Sequence, residues 1–274
     1  MYKNLGKSAA AIADKKFGQN FLKDGTILEK IIEAMPKDGL PIVEIGPGLG
    51  DLTRQLIRVG NVRAYEVDKR LCEYLHNEFK EPLSSGNLEL VCKDILAHDG
   101  SLQDTEYSLV ANLPYYIATK IILNALHESR CKRVLVMVQK EVAQKFSAVS
   151  GERDFGSLAI LAQSVADVQL LFDVPPEAFE PPPKVTSAIL YIEKRASLED
   201  KGFEEFLKVA TKQPRKTMMK NLSTTYAKTK LLELFEQLGI KPTARSHEIG
   251  LSIYHQLYKE LKEDRDDESR EQRG

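Results

Sequence analysis

Pro41-Ile42-Val43-Glu44-Ile45-Gly46-Pro47-Gly48-Leu49-Gly50-Asp51-Leu52-Thr53 is the stretch whose reading decides the fold. A short apolar run of strand length meets three glycines in five residues, and a helical pattern follows through Leu52, Leu56, Ile57 and Val59. The pattern reads as strand, tight turn, helix. Glycines let the backbone pass close to a ligand and adopt conformations that a side chain forbids, so such a turn at the carboxyl end of a strand is a nucleotide-sized binding edge.

The spacing narrows the ligand. A dinucleotide fingerprint wants its third glycine where this chain has Asp51. A carboxylate at the start of a helix is a poor neighbour for a pyrophosphate. Glu44 before the turn, Glu66 at the end of the next strand and Asp94 at the end of the third make the rim acidic. That rim suits a cationic ligand without phosphates, and S-adenosylmethionine is the common one, with its sulfonium, ammonium, ribose diol and adenine. Glu66 lies twenty residues after Gly46, near the distance at which an acidic residue meets ribose hydroxyls in nucleotide-binding βαβ units. A glycine-rich turn without a ligand is the alternative, and the three acids weigh against it.

Outward from the turn, strands at 62–67, 88–92, 107–111 and 134–138 alternate with helices at 69–79 and 118–127. This alternation argues a parallel sheet with helices on both faces, its ligand groups gathered at the carboxyl ends of the strands, where Gly46, Glu66, Asp94 and Asn112 all fall. Helices follow at 139–146 and 157–166, then strands at 168–172 and 188–192. Upstream, a helix starts near Thr26, a candidate cap, and the leader before it carries Lys16-Phe17-Gly18-Gln19-Asn20-Phe21-Leu22, a lid over a site or a plain anchor of the terminus. Between the last two strands, five prolines in nine residues exclude helix and ladder and make a stiff loop around Phe179, whose ring is either core-packed or a displayed stacking surface. Beyond Glu193 helices at 203–210, 228–238 and 247–261 have no strand among them. The expected organisation is a catalytic domain at 1–195, a helical RNA-binding domain at 196–261 and a charged, disordered tail at 262–274.

Composition bounds the rest. Hydrophobic content of 42% and charged content of 29% are those of a globular protein, and no apolar run approaches membrane-spanning length. The amino end lacks an apolar signal core, so a cytoplasmic location is expected. Cys72, Cys92 and Cys131 are odd in number and far apart, which suits neither a disulfide framework nor a metal site, and they read as reduced, structural residues. A net charge of -1 does not advertise nucleic-acid binding. Residues 201–245, however, hold ten Lys and Arg against four acids, with Lys212, Arg215, Lys216 and Lys220 clustered, which is either a solvated helix face or a phosphate-backbone surface.

The reaction is read from Asn112-Leu113-Pro114-Tyr115, which follows a strand at the edge of the cofactor turn. Pro114 commits Leu113 to an extended conformation that can point backbone carbonyls into the site. An amide oxygen and backbone carbonyls accept hydrogen bonds, and an exocyclic amine offers donors. Tyr115 supplies a face for stacking a base. The motif contains no His or Lys to serve as a base, so catalysis is expected to be positioning and electrostatics, and a target inside a helix must be turned out of its stack.

Taken together, the leader motif, Glu44-Ile45-Gly46-Pro47-Gly48, Glu66-Val67-Asp68, Lys93-Asp94, Asn112-Leu113-Pro114-Tyr115 and Phe179 with Pro181-Pro182-Pro183-Lys184-Val185 resemble the small-subunit ribosomal RNA adenine dimethyltransferase family of bacterial KsgA type. Each motif alone is weak, but the six in family order from residue 15 to about 192 are specific. The resemblance implies a Rossmann-like S-adenosylmethionine-dependent methyltransferase domain with a small all-helical C-terminal domain. It implies dimethylation of two adjacent adenines in the 3′-terminal hairpin of that RNA, within an assembling small subunit. By the same resemblance Asn20, Leu22, Gly46, Glu66, Asp94 and Asn112 contact the cofactor, and Asn112, Leu113, Tyr115 and Phe179 surround the target adenine. No metal is implied, and a monomer is expected. Tyr116 stands where an Asn is usual in the family. Two rivals remain: the large-subunit adenine methylase of macrolide-resistance type, and an assembly factor acting mainly by binding.

Overall fold

The structure is a computed structural model that describes residues 9, 13, 19–98 and 100–271, with side chains described as far as Lys262. Lys16, Phe17 and Gly18 of the leader motif lie outside the described residues. The chain divides into two compact units, one of Met1–Ala143 with Ala166–Ser197 and one of Gln144–Val165 with Leu198–Gly274. Among the described residues no helix is long and apolar enough to cross a membrane.

The first unit opens with β1 (Phe21–Leu22) and α1 (Gly25–Ala34), followed by β2 (Ile42–Ile45), α2 (Asp51–Leu56), β3 (Val62–Tyr65), α3 (Lys69–Glu78), α4 (Lys80–Ser85), β4 (Leu88–Val91), β5 (Tyr107–Asn112), α5 (Ala118–His127) and β6 (Cys131–Gln139). The boundary between the units runs through α6 (Lys140–Ser147). After α7 (Ser157–Val165) of the second unit, the first resumes with β7 (Ala166–Val174), β8 (Phe179–Glu180) and β9 (Ser187–Lys194). The main sheet has the order β4-β3-β2-β5-β6-β9-β7. The central strands are buried through their middles because helices cover both sides: every residue of β2 is buried, the Glu44 carboxyl included, as is the apolar run Val134–Val138 in β6. Strand order reverses between β2 and β5, so same-handed crossovers put the helices of the two halves on opposite faces. This switch point opens a crevice at the carboxyl ends of β2 and β5.

The expected all-parallel sheet is corrected at one edge. β9 runs antiparallel to both β6 and β7, making the sheet mixed. β7 and β9 are joined by 175–186, which contains no crossover helix, and such a connection returns a strand antiparallel. The proline-rich loop is also less bare than expected. Between its two proline clusters β8 forms a two-residue antiparallel ladder with β1, pairing Phe21 with Glu180 and Leu22 with Phe179. The prolines flank the ladder and leave Phe179 and Glu180 free to make it.

Local chemistry explains other differences. The cap of α1 is Asp24, not Thr26, its carboxylate accepting from Thr26 N at 2.8 Å and Ile27 N at 3.2 Å. Cys72 and Cys92, read as reduced, are joined in a disulfide, and Cys131 is free and buried. Their 20-residue separation spans a helix and a strand, and they become neighbours only when β4 pairs with β3.

In the second unit α7 joins α8 (Lys201–Ala210), α9 (Met218–Leu222), α10 (Lys228–Gln237) and α11 (Leu251–Glu271) around buried Phe203, Phe206, Leu234, Phe235 and Tyr254. α11 starts four residues later than expected, after a separate turn at Ser246–Glu248, and its backbone stays helical to Glu271, through the stretch expected to be a disordered tail.

Phe179 belongs to the core of the first unit, with 4% of its surface exposed, and β8 holds its backbone against β1. Phe179→Ala should therefore destabilise the protein by about 3–5 kcal/mol, the usual cost of emptying a buried Phe site. Differential scanning calorimetry checks this, and an unchanged melting temperature would contradict the packing described.

Candidate active site

The glycine turn between β2 and α2 has positive φ at all three glycines: 71° at Gly46, 62° at Gly48 and 79° at Gly50. Two of them are also crowded by aromatic rings. A Cβ at Gly48 would stand 3.0 Å from the Phe21 ring, and one at Gly50 would stand 2.4 Å from Phe79. The leader thus lies directly on the turn. Lys23 extends that clasp with an ion pair to Asp51 at 2.5 Å, and burial lowers its pKa from the ordinary lysine value despite the partner. Gln19 donates to Asp68 Oδ2 at 3.2 Å.

The carboxylates at the strand ends differ in their surroundings. Glu66 is buried, and its two oxygens accept backbone N–H groups of Val67 at 2.9 Å, Asp68 at 3.0 Å and Gly48 at 3.2 Å. Burial pushes its pKa up against those three donors. Glu44, 1% exposed, accepts from Thr53 Oγ1 at 2.7 Å. Burial first, and the negative charges of Glu66 and Asp51 after it, push Glu44 up to about 8. Asp94 is exposed and spends Oδ1 on Leu96 N at 2.8 Å.

Asn112 ends β5 on the other side of the crevice. Its Nδ2 donates to the carbonyl of Asn20 at 3.0 Å, which commits the N–H end of the amide to the leader and leaves the oxygen as its acceptor end. Leu113 N continues the sheet by donating to Met137 O at 3.1 Å, and Pro114 then turns the chain. Tyr115 stands on the turn, its hydroxyl 2.6 Å from Ser187 Oγ.

These elements wall one cavity. Asn20, Leu22, Gly46, Glu66 and Asp94, with Asn112, Leu113 and Tyr115, all line it. Phe179 is not among the residues that line it and lies buried in the core of the first unit, 4% exposed. The cavity has apolar lips: Val67, 41% exposed, and Ile95 were missed by the sequence reading, and Tyr116, noted there only as a departure from the family pattern, is 62% exposed and lines it too. Nothing in a pattern marks Val67 as exposed, because it continues an apolar strand; only its place after Glu66, at a strand end, hints at it. The Asp94 and Glu66 carboxylates add to burial in raising the pKa of the Tyr116 hydroxyl. Among the described residues no cluster of three or more metal-ligating side chains occurs.

The second unit carries its own surface feature. Lys212, Arg215, Lys216 and Lys220 are exposed on and beside the turn after α8, and among the described residues none is in an ion pair. The turn is braced from beneath by buried Asn221, whose Nδ2 donates to Ala210 O at 2.9 Å and Gln213 O at 3.3 Å. A bridge between Thr217 and Arg245 brings a fifth cation alongside, one outside the cluster read from sequence.

The comparisons with known proteins fit this geometry. The model of the family described as ribosomal RNA adenine dimethylase matches residues 11–263. The ribosomal RNA small subunit methyltransferase A of Sulfurimonas denitrificans is 54% identical over 249 residues, 90% of this chain and 93% of its own. That of Aliarcobacter butzleri is 49% identical over 258 residues, 92% of this chain and 97% of its own. Among solved structures, a dimethyladenosine transferase from Plasmodium falciparum superposes with a TM-score of 0.76 at 25% identity, over 89% of this chain and 98% of that one. The 23S rRNA methyltransferase ErmE superposes with a TM-score of 0.69, also at 25% identity, over 89% of this chain and 100% of that one. With its switch-point cavity, its acidic strand ends and its Asn-Leu-Pro-Tyr turn, the chain belongs to the ribosomal RNA adenine dimethylase family.

Proposed function

We propose that the chain transfers methyl groups from S-adenosylmethionine to the exocyclic amines of two adjacent adenines near the 3′ end of small-subunit ribosomal RNA, in the cytoplasm of a cell assembling that subunit. The observation that carries this reading is the Asn112 amide, held by the Asn20 carbonyl on the wall of a cavity that also contains the Glu44 and Glu66 carboxyls. The residues present fit the cofactor. Two buried acids in one cavity, one of them pushed up to about 8, suit a cation, and the apolar lips at Val67 and Ile95 suit a flat ring. Glu66 would accept from the ribose hydroxyls and Asp94 from the adenine, with Gly46, Asn20 and Leu22 closing around the remainder. When bound, the cofactor supplies an electrophilic methyl on a sulfonium.

The residues of this chain do the positioning. The lone pair of an adenine amine is delocalised into the ring, so the amine is a weak nucleophile until its N–H groups are held out of plane. Asn112 Oδ1 and the Leu113 carbonyl are the acceptors placed to do this, while the Tyr115 ring stacks the base turned out of its helix. Proximity and fixed dipoles then supply the rate enhancement. The helical unit contributes RNA affinity through Lys212, Arg215, Lys216 and Lys220, whose exposed ammonium and guanidinium groups suit phosphates. The small-subunit reading is supported over the large-subunit one by identity, 54% to the small subunit methyltransferase A against 25% to ErmE.

The function is tested by incubating purified protein with tritiated S-adenosylmethionine and either small or large ribosomal subunits from a strain lacking this gene. Label should enter small-subunit RNA as dimethyladenosine; label confined to large-subunit RNA would transfer the assignment to the macrolide-resistance type.

Glu44 predicts a pH dependence. Its folded value of about 8 lies above the ordinary 4.5, so the folded state holds this proton and loses relative stability as pH rises from about 4.5 through 8. A cation in the cavity favours the ionised form, so cofactor binding at pH 7 should release close to one proton. Affinity should climb by up to about tenfold per pH unit below 8 and level off above it. Calorimetry in buffers of different ionisation enthalpy measures both quantities. Zero proton release with flat affinity from pH 6 to 9 would show that Glu44 is already ionised or is not linked to the ligand.

A further inference from the structure

Tyr115 is only half-buried, yet its hydroxyl is tied to a residue with no exposed surface at all. Ser187 Oγ lies 2.6 Å from Tyr115 Oη, and Ser187 is 0% exposed. The serine is held on both sides by the sheet, opposite Gln139 of β6 and Val174 of β7. Val174 and Ser187 are also the two ends of the proline-rich connection, so that connection closes where the tyrosine is anchored. A tyrosine ring on a turn can rotate about two side-chain torsions, and fixing its far end to a sheet residue removes that freedom at little cost on binding.

We propose that Ser187 is a positioning residue for methyl transfer: through the Tyr115 hydroxyl it sets the plane of the ring against which the target base stacks. The proposal rests on the reading that Tyr115 faces the target adenine. The bond joins the turn that presents the acceptors to the strand that ends the β8 connection, so both keep one spacing when a base enters. Ser187 is not among the residues lining the cavity, and its effect reaches the base only through Tyr115.

Ser187→Ala and Tyr115→Phe remove the same hydrogen bond from its two ends. Each should lower kcat for transfer to small subunits about twofold to tenfold, the range of one neutral hydrogen bond, with KM for S-adenosylmethionine unchanged. The double variant should be no slower than the worse single one, because only one interaction is lost. The mono- to dimethyladenosine ratio should rise in all three. If Ser187→Ala is too unstable to assay, Tyr115→Phe still carries the kcat and product-ratio test. Wild-type kcat in both single variants, or losses that multiply in the double, would overturn the role of Ser187. Tyr115→Ala separates the proposal from the reading beneath it. Transfer lost in Tyr115→Ala but intact in Ser187→Ala and Tyr115→Phe overturns the positioning bond alone. Transfer intact in Tyr115→Ala overturns the placement of Tyr115 against the base, and the proposal with it.

Discussion

The contact between the Phe21 ring and the backbone at Gly48 is the constraint on which the rest of the site depends. A Cβ at Gly48 would stand 3.0 Å from that ring on a residue with φ of 62°, so a side chain there would push the covering ring back and strain the turn. Covering it brings the leader to the crevice, where the Asn20 carbonyl receives the Asn112 amide and Lys23 meets Asp51. The short ladder of β1 with β8 then ties the leader to the far edge of the sheet. One glycine-to-aromatic contact thereby connects three segments that are remote in sequence.

Charge is distributed unevenly around this clasp. Asp51, whose carboxylate argues against a phosphate ligand, is answered by Lys23, so part of the acidity read from the sequence is spent within the fold. The buried acids that remain toward the cavity are Glu44 and Glu66, each pushed above its ordinary range, with exposed Asp94 at the rim. Glu66 is steadied by three backbone N–H groups and Glu44 by a single hydroxyl, so the ionised form of Glu66 has more hydrogen-bond support than that of Glu44.

Much of this was legible in the sequence where the signal is local. Glycine spacing, the acid that ends a strand and a proline after an asparagine are each visible within a few residues, and α5 appears over the residues predicted, Ala118–His127. What was not legible depends on distance. The Cys72–Cys92 pairing, the antiparallel return of β9 and the burial of Phe179 follow from which strands become neighbours, and periodicity within one segment carries no information about that. The apolar lips were hidden for a related reason: Val67 looks like any strand valine until the crevice opens beside it. The anchor of Tyr115 required the fold as well, since Ser187 lies 72 residues away.

The central claim is that the Asn112 amide, held by the leader, presents the acceptor that readies an adenine amine for methylation. It is tested most directly by quantifying dimethyladenosine in the small-subunit RNA of a strain whose own gene carries Asn112→Ala, with the variant protein confirmed folded and present at its normal level. The account predicts that the modified adenines fall to the background of a strain lacking the gene. Dimethyladenosine at the wild-type level in that RNA would contradict it.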